Sequence, residues 1–143
     1  MVADLTSPGS DARPTDPRRA LGRLGERLAA AHLERLGYAI LVRNVRTRYG
    51  EIDLIAFDGR TLTMVEVKTR KIGARAKLIR PDQQPLTWLQ PRQRARLRRL
   101  AAAWLTDEKH MRMNAQTIRF DAIGVVVDDR GRLLGLDHVE GAW

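Results

Sequence analysis

Apolar and polar positions change their spacing several times along the chain, and each change marks an element. From Arg18 to Leu36 apolar residues recur at helical spacing, with Leu21, Leu24, Leu28, Ala31 and His32 on one stripe and Gly37 as a stop. Tyr38 to Asn44 reads as a strand. Glu51 to Ala56 and Arg60 to Thr69 then alternate with period two, the signature of half-buried strands, and Asp58-Gly59 between them suits a tight hairpin turn because both residues tolerate positive φ. Lys71 to Gln90 keeps no period and contains Gly73, Pro81 and Pro85, which predicts a long irregular loop, functional or mobile as such loops usually are. Pro91 opens a second helix, where its missing N–H is harmless, with Leu97, Leu100, Ala101, Trp104 and Leu105 on one face and Arg92, Arg96 and Arg99 on the other. Asp107 to Ala115 breaks the pattern. Gln116 to Val127 reads as a buried strand, Asp128 to Arg132 as a turn, and Leu133 to Val139 as its antiparallel partner. Met1 to Pro17 has three prolines and no period, which predicts a disordered tail and leaves residues 18–143 as one domain. This order predicts an α/β fold in which helices cover a mixed sheet.

The hairpin makes a sharper statement. With Asp58 and Gly59 as a two-residue loop, Phe57 faces Arg60, Asp53 faces Met64 and Glu51 faces Glu66. One face then carries Glu51, Asp53, Ile55, Leu62, Met64, Glu66 and Lys68, and the other Ile52, Leu54, Ala56, Val65 and Val67. The second face belongs in a core. The first turns acidic at one end, with Asp53 diagonal to Glu66 at roughly 7 Å between backbones, close enough for the side chains to share a cation. A loop of different parity would flip one strand and destroy this arrangement.

Composition narrows the chemistry. The 143 residues suit one domain, and 43% hydrophobic content fills one core. No apolar run reaches membrane-span length and no signal peptide is evident, so a cytoplasmic protein away from the membrane is expected. The absence of cysteine excludes disulfides, thiolate metal sites and cysteine nucleophiles. The net charge is +9 with a pI near 11.1, which points to a polyanionic partner, although 22 of the 26 basic residues are arginine, a bias that genome composition can also produce. Distribution says more than the total. Lys68 to Arg99 holds eleven basic residues and one acid, a segment of +10, so the rest of the chain sums to −1. A basic stretch directly after a carboxylate cluster is what a phosphate backbone needs to reach those carboxylates.

Two carboxylates at the ends of adjacent strands, with a lysine two residues beyond one of them, fit phosphodiester hydrolysis assisted by a divalent cation. Hard oxygen ligands suit Mg²⁺, which polarises the phosphoryl group and activates water, while an ammonium orients the attacking water. Exposed strands also display alternating Glu and Lys as a solvated face, and both readings stay open on spacing alone. Clustered like charges are harder to explain without a cation. Glu26 shares a helical face with Gly22, Ala29, Ala30 and Leu33, and is open to the same two readings. His32 reads as packed in the apolar stripe, and His110 and His138 have no sequence-local partner, so no histidine receives a metal role.

Asp53, twelve intervening residues and then Glu66-Val67-Lys68 resemble the PD-(D/E)xK nuclease core, with Ile52 in place of the leading proline. Gly22 to Ala30, Gly37-Tyr38, Arg43-Asn44, Gly50 to Ala56, Val65 to Arg70 and Arg119-Phe120-Asp121 together resemble the YraN family of bacterial proteins, over about residues 20 to 140. The resemblance implies a restriction-endonuclease-like fold related to archaeal Holliday junction resolvases. It implies Asp53 and Glu66 as metal ligands, a backbone carbonyl from Val67, Lys68 acting on water, Glu26 as a helix carboxylate joining the metal, and Glu51 as a ligand or its support. For Asp121 a hydrogen-bonding role on a buried strand is expected. The implied function is Mg²⁺-dependent DNA cleavage, with Mn²⁺ as a substitute, on branched or recombination DNA, by a homodimer. Arg70, Lys71, Arg75, Lys77, Arg92, Arg96 and Arg99 would contact phosphates, giving structure-selective rather than sequence-selective binding. The alternatives are a non-catalytic nucleic-acid-binding protein in a repair or DNA-uptake assembly, and a protein-interaction module.

Overall fold

Helix α1 (Pro17–Arg35) begins where the Asp16 side chain accepts from the Arg18 N–H and Pro17 occupies the first turn. It ends where the N–H groups of Leu36, Gly37 and Tyr38 take the last carbonyls and Gly37 turns at φ 96°. Then follow β1 (Ala39–Thr47), β2 (Gly50–Phe57), β3 (Thr61–Lys71), α2 (Pro91–Leu105), β4 (Thr117–Val127) and β5 (Leu133–Val139). The computed structural model describes residues 16–47, 50–73, 91–106 and 115–142, with backbone alone for 47, 91–94 and 97. Most of the expected tail, most of the 71–90 loop and the 107–114 break lie outside these. No helix among the described residues is long and apolar enough to cross a membrane.

The strands form one mixed sheet in the order β1-β2-β3-β4-β5. β3 and β4 run parallel, with α2 on the connection between them, and the other neighbours are antiparallel. A helix covers each face. On one side Ala29, Ala30 and Leu33 of α1 pack on Leu54, Ala56, Val65, Val67, Ile123 and Val125. On the other, Leu100, Ala101 and Trp104 of α2 pack on Ile52, Ile55, Leu62 and Met64. Each fully buried Leu or Ile here contributes about 1.5–3 kcal/mol over its exposed state.

Three expectations need correction. The face of α1 that is fully buried is the one of small residues, Gly25, Ala29, Ala30 and Leu33, while Leu21, Leu24 and Leu28 are only partly buried. The cause is close approach: a Cβ on Gly25 would overlap the Thr69 hydroxyl, so the helix sits on β3 through its smallest side chains.

The hairpin register also slides by two residues, to Phe57↔Leu62, Ala56↔Thr63, Ile55↔Met64 and Leu54↔Val65. Met64 therefore faces Ile55 rather than Asp53. The Asp58 carboxylate accepts from the N–H groups of Arg60 and Thr61 at 2.9 and 2.7 Å, which draws those residues into the turn and lengthens it. A slip of two preserves strand parity, so β3 keeps its predicted faces.

β2 does not keep its faces. Ile52 packs with Ile55 beneath α2, not with Leu54. Strict alternation cannot put residues three apart on one face. The break lies opposite Asn44, which sits between the pairs Arg43↔Leu54 and Val45↔Ile52 and adopts φ 52°.

Candidate functional site

The break in β2 is what assembles the acidic residues. Asp53 lies between Ile52, which turns toward α2, and Leu54, which turns toward α1. Gly25 holds α1 against β3, and the next residue, Glu26, is thereby brought to Asp53. Glu26, Glu51 and Asp53 each offer a carboxylate oxygen within 4.8 Å of the other two. The structure thus groups three of the predicted acids, though not the face predicted for them: Glu51 and Asp53 meet α1, while Ile55, Leu62 and Met64 lie beneath α2.

Electrostatics reinforce the grouping. Burial, then repulsion from Glu66, pushes the Asp53 carboxyl up to about 8, against a hydrogen bond from the Val67 N–H at 2.8 Å that favours the ionised form. Glu26 is also raised, by burial first and by the nearby Glu51 and Glu66, with a hydrogen bond from the Asn44 side chain in opposition. Unit charges at this spacing repel by about 3 kcal/mol at an effective dielectric of 20, so a cation held between the carboxylates removes a substantial cost.

Glu66 is buried, at 5% exposure, and lies near enough to raise both Asp53 and Glu26 without belonging to the three-acid group. Its carboxylate pairs with Lys68, Nζ to Oε1 at 3.1 Å, and the lysine stays partly exposed. For Val67 the group that engages Asp53 is its N–H.

Of the residues expected to contact phosphate, Arg96 lies beside Gly50, its Cδ 3.5 Å from where a Cβ would stand, and is thus near Glu51. Arg99 is exposed on α2 and Arg70 is half-buried on β3. Lys71 lies at the far end of β3, where it lines a separate cavity of about 470 Å³ with Leu24, Val127 and Asp128. Arg75, Lys77 and the Arg92 side chain fall outside the described residues.

Several participants have only weak sequence signals. Asn44, which adopts positive φ more readily than most residues, is used here at the site of the β2 break. Arg19, Gly22, Arg23 and Glu26 follow the i, i+3, i+4, i+7 spacing of one helix face. They line a cavity of about 280 Å³ with Asn44, Arg46 and Glu51.

Asp121 forms a second cluster, as its expected hydrogen-bonding role requires. Fully buried, it binds Arg119 through two hydrogen bonds, accepts from the Gly141 N–H, and meets His138 Nε2 at 2.7 Å. His138 Nδ1 in turn meets His32 Nε2 at 3.1 Å, and Arg119 also reaches the Tyr38 hydroxyl. Burial pushes the Asp121 carboxyl up, but the bonds from His138, Arg119 and Gly141 outweigh it and leave the group below its ordinary value. With Asp121 ionised and acceptor-only, His138 Nε2 donates to it, and the His138 Nδ1–His32 Nε2 bond carries the contact on to α1.

Fold and site together define a small α/β protein with an acidic cluster at the boundary of a mixed sheet and its first helix. Residues 25–125 match the group described as "Uncharacterised protein family UPF0102". The chain is 44% identical over 117 residues to a UPF0102 protein of Acidothermus cellulolyticus, covering 76% of this chain and 83% of that one. It is 37% identical to a Mycolicibacterium vanbaalenii relative, covering 89% and 96%. A Geobacter sulfurreducens relative is 41% identical, covering 87% and 89%. The chain belongs to the UPF0102 (YraN) family.

Proposed function

We propose that this protein is a metal-dependent nuclease of restriction-endonuclease-like fold, hydrolysing DNA phosphodiester bonds, with branched or recombination DNA as the preferred substrate class. One observation carries the reading: carboxylates from α1 and β2 converge within 4.8 Å, beside a buried Glu66 that is paired with Lys68. Three hard oxygen donors, one of them made reluctant to ionise by burial and by the Glu66 carboxylate, fit Mg²⁺ or Mn²⁺. Glu26, Glu51 and Asp53 would hold the ion, with Glu66 completing the acidic surround. The ion supplies Lewis acidity and an acidified water.

The chain's own groups have separate tasks. The Val67 N–H fixes the orientation of the Asp53 carboxylate. Lys68, held by Glu66, presents an ammonium that stabilises charge developing on a phosphate. Arg96 and Arg99 supply positive charge on the α2 side.

The decisive experiment incubates purified protein with linear duplex, single-stranded, flap and four-way-junction DNA in Mg²⁺, Mn²⁺ or chelator, beside Glu66→Ala and Lys68→Ala. Cation-dependent cleavage lost in both variants is the expected result. Cleavage that both variants retain comes from a contaminant and removes the proposal. Binding without cleavage on every substrate leaves the non-catalytic nucleic-acid-binding reading in its place.

A further inference from the structure

Beside the carboxylates lies a cavity whose wall has the opposite charge. Arg19 and Arg23 stand one helical turn apart on α1, and Gly22 between them has no side chain to fill the space; a Cβ there would meet nothing within 4 Å. Across from them Arg46 of β1 reaches Glu51 of β2. At about 280 Å³ the cavity suits one small polar group rather than a large apolar ligand. Glu26 and Glu51 line it and also belong to the three-acid group, so cavity and acids form one continuous site.

None of the three arginines is firmly committed among the described residues. The Arg46 Nε to Glu51 Oε2 distance is 3.9 Å and the Arg46 side chain is 84% exposed, which makes a weak pair. Arg23 acts on Glu26 only through its field. Arg19 makes no ion pair among the described residues. Three planar donors around one opening suit a phosphate group, which guanidinium groups grip through paired hydrogen bonds. The two carboxylates oppose an anion there unless a cation neutralises them.

We infer that Arg19, Arg23 and Arg46 form a phosphate clamp that engages a nucleic-acid backbone phosphate next to the carboxylates, and that it does so cooperatively with a divalent cation bound to Glu26 and Glu51. The inference rests on the proposed function for the cation. It goes further in assigning the phosphate to the α1–β1 side of the site, to arginines that are not part of the 68–99 basic segment. When the cation draws Glu51 away, Arg46 is released to the phosphate. Linkage then requires cation and phosphate to tighten each other by the same factor.

The test is binding, measured by calorimetry on the full chain with Ca²⁺ or with EDTA. The probes are inorganic phosphate, thymidine 5′-monophosphate, the dinucleotide TpT with no terminal phosphate, and a ten-residue oligothymidylate. The variants are Arg19→Ala/Arg23→Ala, Arg46→Ala, and Arg60→Ala/Arg130→Ala as a control that removes from exposed turns as much charge as the double clamp variant and more than Arg46→Ala. Expected results are oligothymidylate binding at least tenfold tighter in Ca²⁺ than in EDTA, Ca²⁺ binding tightened by the same factor, and a tenfold loss in both clamp variants but not the control. TpT binding identifies an internal diester. Preference for the monophosphate identifies a strand end, and binding of inorganic phosphate alone, without the oligomer, overturns the backbone assignment. Clamp variants that bind like the control, or an absence of Ca²⁺ dependence, overturn the clamp. Cleavage scored on the same proteins separates the two ideas: wild-type cleavage by the clamp variants leaves the nuclease standing and removes the clamp. Ca²⁺-coupled binding without cleavage in Mg²⁺ does the reverse.

Discussion

At the scale of single residues, Asp53 connects protonation to stability. Its folded value is about 8 and its ordinary value 3.8, so between these the native state binds more protons than the unfolded chain. Its contribution is fully present below 3.8 and is lost as pH rises through about 8. Without divalent cation, the unfolding free energy of wild type should therefore fall relative to Asp53→Asn by about 1–3 kcal/mol from pH 5 to pH 8. Urea titrations of both proteins measure this, and excess Mg²⁺ should remove most of the difference. Gly25 and Gly22 form a second residue-scale contrast. Gly25→Ala places a methyl into the Thr69 hydroxyl and should cost about 1–3 kcal/mol, loosening Glu26 from Asp53. Gly22→Ala meets open space and should stabilise α1 by up to about 1 kcal/mol. Thermal melts that order the two variants the other way would contradict this packing of α1 on β3.

At the scale of elements, the Asp121 cluster ties α1, β4 and β5 together. His32 comes from α1, Arg119 and Asp121 from β4, and His138 from the edge strand β5. Asp121→Asn should cost about 3 kcal/mol, because it leaves the Arg119 charge and His138 without their buried counter-ion. Burial, followed by the fields of His138 and Arg35, lowers His32 below 6.5. The unfolded chain thus binds the extra proton more readily, and this contribution is present above pH 6.5 and lost as pH falls below it. Hydrogen exchange at β5 amides should accelerate between pH 6.5 and 5 relative to β2 amides, after correction for intrinsic exchange, and His32→Gln should flatten that dependence. Equal behaviour of the two strands would separate the histidine pair from docking of β5.

At the scale of the molecule, positive charge is divided between two sides of the acids. Arg96 and Arg99 lie on α2, and Arg19, Arg23 and Arg46 lie on the α1–β1 side. A protein of net charge +9 that uses both should show steep salt dependence on DNA, with affinity falling roughly tenfold or more between 50 and 200 mM salt. Arg96→Ala/Arg99→Ala should weaken binding and reduce the slope of log affinity against log salt. A slope equal to wild type would take α2 out of the contact surface.

Much of this was legible in the sequence because it depends on neighbours along the chain. Asp16, Pro17 and Gly37 bound α1 through hydrogen bonds within a few residues, and alternation with the Asp128–Arg132 turn placed β5 at Leu133–Val139. The carboxylates of Asp53 and Glu66 and the ammonium of Lys68 were equally visible as residue types at short spacing, and in the fold Glu66 pairs with Lys68 and lies near enough to Asp53 to raise it. Tertiary structure decided which groups meet. The Asp58 turn moved the hairpin register by two, and the break opposite Asn44 turned Ile52 toward α2 and left Asp53 with Glu51 and Glu26. His32 and His138 are 106 positions apart and met only because α1 packs near the β5 edge of the sheet. Helical and strand periods follow from local backbone geometry, whereas these encounters depend on how closely a glycine lets a helix approach and how a strand loses its alternation.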